Sequence, residues 1–159
     1  MFETIFQYAK IYYDPPERVR RGSRALIIRD GEILLSYETN TNVYMSPGGG
    51  LEAGESLEEC CVREVAEETG YEAKVLYPFV TVNEYSFETL YENNYFVCEI
   101  TGKSPKSLTE NEIEHGLVSK WLKIEDALEI FGTYSSKSQD IMSLYLRELT
   151  VINKYLKTK

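Results

Sequence analysis

Between Gly49 and Tyr71 the chain carries seven carboxylates (Glu52, Glu55, Glu58, Glu59, Glu64, Glu67 and Glu68) and one base, Arg63. Local signals frame this stretch as a helix. Ser56-Leu57-Glu58-Glu59 fits a capping box, in which Ser56 and Glu59 satisfy each other's orphan backbone donors. Gly70 suits the position just past a helix end, so the helix is predicted over 56–69. At about 100° per residue, Glu64, Glu67 and Glu68 share one side. Cys61, Val62, Val65, Ala66 and Thr69 occupy a neighbouring arc that can face a core. Carboxylates at i, i+3 and i+4 repel by about 0.2–0.5 kcal/mol per adjacent pair. No lysine lies in the segment to offset this, whereas a solvated helix face interleaves both signs. The missing cation is one that a bound ion would supply.

Oxygen ligands without histidine or thiolate suit a hard ion, Mg²⁺ first and Mn²⁺ second. Pro47-Gly48-Gly49-Gly50, read as a loop with unusual backbone angles, leads toward the helix N-terminus, where free N–H groups favour an anion. In this reading Gly49 and Gly50 let the backbone approach phosphate, and Glu55 reaches back toward the carboxylate face. Phosphate beside Mg²⁺ is the arrangement of diphosphate chemistry. A P-loop is excluded, because Glu55 stands where G-x-x-x-x-G-K-[ST] requires the lysine that neutralises phosphate.

The rest of the chain sets the frame. Its 159 residues predict one domain, 1–159, and its formal charge of -9 argues against stable binding to nucleic acid or an anionic membrane. Six of those nine net charges fall in the segment described above. No apolar run approaches the roughly 20 residues of a membrane-spanning helix, and Glu3 and Gln7 interrupt what would be a leader peptide. Three cysteines, Cys60, Cys61 and Cys98, fit neither a disulfide framework nor a zinc site, and a cytoplasmic protein with reduced thiols is expected.

Strands are predicted over 4–13, 24–29 and 32–37, the last two joined by the hairpin pair Asp30-Gly31, followed by a short run at 42–46. Further strands are expected over 72–87, 90–101 and 117–123, and helices over 124–131 and 138–156. Hairpins mixed with crossovers point to an α/β fold, a mixed sheet with helices on its faces.

The same residues resemble the Nudix box, G-x5-E-x7-R-E-U-x-E-E-x-G-U. Gly49, Glu55, Arg63-Glu64-Val65, Glu67-Glu68 and Gly70 occupy its fixed positions, and Tyr71 stands where the family usually has an aliphatic residue. Pro47-Gly48-Gly49-Gly50-Leu51 is similar to the family's lead-in. The resemblance, to MutT-like Nudix hydrolases, implies an α/β/α sandwich with a mixed central sheet. It also implies Mg²⁺-dependent cleavage of a nucleoside diphosphate linked to another moiety. By that resemblance Glu64, Glu67 and Glu68 are metal ligands, joined by the Gly48 carbonyl. Glu64 is also a candidate for activating water, Glu55 supports the metal, and Arg63 orients the carboxylates. The family's general base is in some members a late-loop glutamate; Glu110, Glu112 and Glu114 are candidates here, with Glu114 preferred. His115 is a lesser one.

Arg18, Arg20, Arg21, Arg24 and Arg29 fall within twelve residues without an acid. Strand alternation lets about two of them reach one site, and Arg24 is the expected phosphate contact. Among thirteen tyrosines, Tyr37, Tyr44, Tyr85 and Tyr95 are placed near the site, with Tyr85 the candidate for substrate. A non-catalytic nucleotide or ADP-ribose sensor on the same fold stays open. A prenyl-diphosphate isomerase would need a catalytic cysteine, and Cys60 reads better as a buried inert thiol. A homodimer through the N-terminal strand or the C-terminal helix is left undecided. The substrate beyond its diphosphate is not legible in the sequence.

Overall fold

Alternation builds the larger sheet. In β7 (Tyr71–Phe87) and β8 (Thr89–Lys103), Val80, Val82 and Glu84 pair with Tyr95, Asn93 and Tyr91 on one face, while Thr81 pairs with Asn94 on the other. β1 (Glu3–Tyr12) runs parallel to β7 and β2 (Arg18–Leu26) parallel to β8. The glycine run is β6 (Gly48–Gly50), antiparallel to β2, so the mixed sheet has the order β1-β7-β8-β2-β6. These strands are part of a computed structural model that describes residues 2–159.

A second, antiparallel sheet centres on β4 (Glu32–Glu38). β9 (Leu117–Lys123) pairs along one edge of β4, and β3 (Ile28–Arg29) and β5 (Val43–Met45) along the other. β4 alternates between two cores. Leu34 packs with Cys61 and Val65 of α1 (Leu57–Thr69), against Ala25, Phe96 and Cys98. Ile33 and Leu35 join the opposite core, where α3 (Ile124–Gly132) and α4 (Gln139–Leu156) contribute Phe131, Tyr145 and Ile152 against Leu26, Val82 and Tyr95. Both sheets therefore form the middle layer of an α/β/α sandwich. Phe131 and Tyr145 meet edge to face at 5.1 Å and 83°, an arrangement worth about 0.5–1.5 kcal/mol beyond burial.

The fold class and most element positions follow the sequence reading, and four differences have physical causes. The strand expected over 24–29 breaks at Ile27, where the chain leaves the five-stranded sheet and begins β3. The second sheet follows from that switch. Residues 48–50, expected as a loop with unusual angles, are an extended strand; the left-handed glycines are Gly31, Gly54, Gly70 and Gly116. A short helix, α2 (Glu110–Glu114), lies where the sequence suggests a loop. Its Thr109 and Glu112 form a capping box of the same kind as Ser56 and Glu59.

The ends of α1 match their signals. Ser56 Oγ accepts from the Glu59 N–H at 3.1 Å, and the Glu59 carboxylate accepts from the Ser56 N–H at 2.7 Å. Gly70 closes the helix in the left-handed region at φ 73°, donating its N–H to the Ala66 carbonyl at 3.0 Å. A side chain there would clash with its own backbone. Gly70→Ala is expected to lower stability by about 1–2 kcal/mol in urea unfolding, with the far-UV spectrum unchanged. An unchanged midpoint would show that the helix end does not depend on this conformation.

Candidate active site

The site is built around the backbone of β6. A Cβ on Gly48 would overlap the Ser23 carbonyl, and one on Gly49 would overlap the Glu64 carboxylate. Glycine is thus needed for close approach, and it lets α1 lay Glu64 directly on the strand. Glu68 turns inward beside it. Its Oε2 accepts from Ser36 Oγ at 2.9 Å and from the Gly48 N–H at 3.2 Å. Burial pushes the Glu68 carboxyl up to about 8, against the pull of Arg24, and the negative charges of Glu64 and Glu112 add to the rise.

Arg63 binds this arrangement together. Its Nε and Nη2 donate to the two carboxylate oxygens of Glu55 at 3.0 and 2.7 Å. Nη1 donates to Glu64 at 2.9 Å and to Glu67 at 3.2 Å, and Nη2 also reaches the Gly50 carbonyl at 3.1 Å. One planar fork therefore ties helix, preceding loop and strand. The hydrogen bonds from Arg63 hold the Glu55 carboxyl down at about 2. Glu64 moves the other way, because burial outweighs the same guanidinium.

Among the described residues, no three His, Cys, Asp or Glu side chains converge on a single point. Glu64 and Glu67 lean to Arg63, and Glu68 leans to Ser36 and Gly48, so the ligand set expected from the sequence is adjacent rather than closed. The donors are nevertheless oxygen only, and a buried carboxylate beside a glycine cradle is suited to a hard cation. At the helix N-terminus, where the sequence leads one to expect an anion, the capping box takes the N–H groups of Ser56 and Glu59.

Late in the chain, Glu112 is the acid whose charge reaches Glu64 and Glu68. Glu114, the residue preferred from sequence, accepts from Asn40 Nδ2 through its backbone carbonyl at 2.5 Å, and its carboxylate has no hydrogen-bond partner among the described residues. Glu110 begins the same short helix, and His115 ends it, with Nδ1 3.6 Å from Glu38. Cys60 is buried, its thiol pushed up by that burial, with Sγ 3.5 Å from the Gly50 carbonyl. It is placed as an inert thiol and not as a nucleophile.

Two cavities open on the other side of β6. The outer one, about 240 Å³, is lined by Arg20, Arg21, Gly22, Arg24, Gly49, Gly50, Tyr91, Glu92 and Asn93. The inner one, about 230 Å³, shares Arg24, Tyr91 and Asn93 and continues to Glu84, Ser143 and Arg147. Of the five arginines, Arg20, Arg21 and Arg24 line these cavities. Arg18 pairs with Glu88, Arg21 pairs with Glu92, and Arg29 stacks on Trp121. Arg24 Nη1 also donates to the Ser46 carbonyl at 3.1 Å.

Tyr85 is not brought to the site. It lies one position from Glu84 and Ser86, so the pleat turns it to the opposite face, where it stacks on Tyr8 at 5.1 Å. Tyr37 and Tyr44 stack on each other, and Tyr95 is buried with its hydroxyl between Arg147 and Glu148. Tyr91 takes the place sought for an aromatic. The signal that finds it is parity with Tyr95 along β8, which becomes readable once the face of Tyr95 is known.

The sequence matches the NUDIX domain family model over residues 19–141. The chain belongs to the Nudix hydrolase superfamily. This bears out the resemblance and the hydrolase class it implies. A protein of Caenorhabditis elegans named as a nudix hydrolase is 34% identical over 120 residues, 69% of this chain and 30% of that protein. The chain thus spans under a third of that relative. Mouse diphosphoinositol polyphosphate phosphohydrolase 3-alpha is 30% identical over 122 residues, 74% of this chain and 72% of that protein. Among solved structures, a NUDIX hydrolase from Nitrosomonas europaea superposes with a TM-score of 0.70 at 22% identity, covering 88% of this chain and 90% of the other. At that identity the likeness shows the Nudix fold alone.

The depressed Glu55 carboxyl gives a test of this Nudix site. Stability from its pairing is fully present above the ordinary glutamate range and is lost as pH falls through about 2. A carbon-detected NMR titration should place the Glu55 midpoint near that value, and Arg63→Met should return it to the ordinary range. A wild-type midpoint already in the ordinary range would contradict the pairing.

Proposed function

We propose that the chain is a Mg²⁺-dependent pyrophosphohydrolase of a nucleoside diphosphate linked to another moiety, working as one unit across its 159 residues. The observation that carries this reading is the Arg63 fork. It holds Glu55, Glu64 and Glu67 beside β6, reaching the Gly50 carbonyl, and Gly49 and Gly50 border a cavity that Arg20, Arg21 and Arg24 line. Carboxylates that would hold a cation and guanidinium groups that would hold phosphate meet across one thin strand.

Glu64, Glu67, Glu68 and the Gly48 carbonyl would hold the ion, with Mn²⁺ as a substitute. When bound, the ion supplies polarisation of a phosphoryl oxygen and a lowered pKa for water. The chain's own groups do the rest. Arg20 and Arg24 receive the phosphates, and Arg63 and Glu55 keep the carboxylates in place. Glu112 is the late-loop acid best placed to take a proton from water, in preference to Glu114. Charge favours a nucleotide over the substrate for which the mouse relative is named. A heavily phosphorylated ring would bring its negative charge against Glu84 and Asp140 of the inner cavity. For self-association, the outer edge of β1, with exposed Phe6, Tyr8 and Ile11, is the better candidate than α4, which is packed on the sheet.

A panel of nucleoside diphosphate sugars, ADP-ribose, dinucleoside polyphosphates and nucleoside triphosphates, assayed with Mg²⁺, tests the reading. Glu67→Gln and Glu68→Gln should each lower turnover by about 10–100-fold or more while the fold is kept. Tight ADP-ribose binding with no turnover of any compound would establish the sensor reading instead.

A further inference from the structure

The inner cavity contains a carboxylate that the structure leaves underused. Arg147 is buried at 4% exposure, and its three nitrogens donate to Tyr95 Oη at 2.8 Å, Glu84 at 3.2 Å and Glu148 at 3.4 Å. Each of its three nitrogens is committed to one of these buried groups, which places it to position them. Its two acidic partners are treated differently. Glu148 accepts further bonds from the Ser46 N–H at 3.1 Å, Ser46 Oγ at 2.6 Å and Tyr95 Oη at 3.1 Å. Glu84 is also buried, at 6% exposure, yet among the described residues Arg147 is its one side-chain donor. A carboxylate has about four lone-pair sites, so acceptor capacity is left on a cavity wall where desolvation makes it costly.

The neighbours specify what would meet it. Asn93, on the same face two strand positions from Tyr91, spends only a long 3.5 Å contact on the Tyr91 carbonyl. Asp140 adds a second carboxylate and Ser86 a hydroxyl. Tyr91 lines this cavity and the outer one, and Arg24 stands at their junction. The wall is thus rich in acceptors, with its cationic side toward the outer cavity. A volume of about 230 Å³ lies below the roughly 300–1,000 Å³ of sites for drug-sized ligands, so it suits one ring system.

We propose that this cavity is the recognition site for a guanine-type nucleobase edge, in which Glu84 accepts from two adjacent N–H donors and Arg147 fixes Glu84 in place. This rests on the pyrophosphohydrolase reading, with the phosphates lying in the outer cavity. Tyr91 offers its ring to the base face, and Asn93 pairs with the remaining polar edge. Glu84 is the specificity-determining residue and Arg147 the positioning residue. Vicinal hydroxyls of a sugar share the chemistry of adjacent donors, and the test separates the two.

The test is calorimetric binding of mononucleotides to the full chain in the absence of divalent cations, which makes it independent of hydrolysis. GMP should bind at least about tenfold more tightly than IMP, which lacks the exocyclic amine, and than AMP. Glu84→Gln should abolish that preference while AMP affinity stays within twofold, and Arg147→Lys should weaken GMP binding with Glu84 still present. Asn93→Ala, which leaves the buried ion pairs intact, guards against a folding artefact and should reduce GMP affinity on its own. Glu67→Gln, made for the hydrolysis test, should leave GMP binding unchanged, so either reading can fail alone. Equal affinities for the three nucleotides would overturn the proposal. So would a sugar phosphate that binds as tightly as GMP with the same sensitivity to Glu84→Gln, since hydroxyls would then be the donors read.

Discussion

Everything at this site depends on one guanidinium placed among acids that would otherwise repel. Glu64, Glu67 and Glu68 share a helix face at a spacing that costs a few tenths of a kcal/mol per pair, and the loop before the helix adds Glu55. Arg63 answers with charge and shape together. Its fork takes both oxygens of Glu55, one each of Glu64 and Glu67, and the Gly50 carbonyl. A lysine carries the same charge but cannot hold five acceptors in one plane. The loop is thereby fastened to the helix, and the helix to β6. Glycine at position 49 completes the fit, because any side chain there would push Glu64 off the strand.

A second cation repeats this logic on the other face. Arg147 is buried between Tyr95, Glu84 and Glu148, and Glu148 in turn grips Ser46, two residues before β6. Removing one member of such a buried group costs about 3–5 kcal/mol, because a charge is left without its partner. The short glycine strand is therefore registered from both sides, by Arg63 through α1 and by Arg147 through α4. This explains how three residues without side chains can separate a carboxylate cluster from an arginine-lined cavity without drifting.

Much of α1 was legible because its signals are local. Ser56, Glu59 and Gly70 announce its ends within the segment, and the spacing of Glu55 and Arg63 places them within reach of one another. β6 was not legible, since three glycines show no alternation, and their partner strand, Gly22 to Arg24, lies more than twenty residues upstream. Parity separated Tyr85 from Glu84. One step along β7 exchanges the exposed aromatic face for the cavity, and the step is settled by pairing with β8 and by the packing of α4. Glu84, Asn93 and Arg147 come from three elements and meet only after the sheet has formed. Glu112 and Glu114 divide on a smaller point, the capping box that turns Glu112 back toward Thr109 and lies in view in the sequence.

Arg63 organises the carboxylates and does more than offset their charge. Mn²⁺ affinity, measured by electron paramagnetic resonance for wild type and Arg63→Lys, tests it directly, because net charge is the same in both proteins. Organisation requires the lysine variant to bind Mn²⁺ about 10–100-fold more weakly, as loss of a group supporting metal ligands does. Equal affinity in the two proteins would show that Arg63 acts through its charge alone.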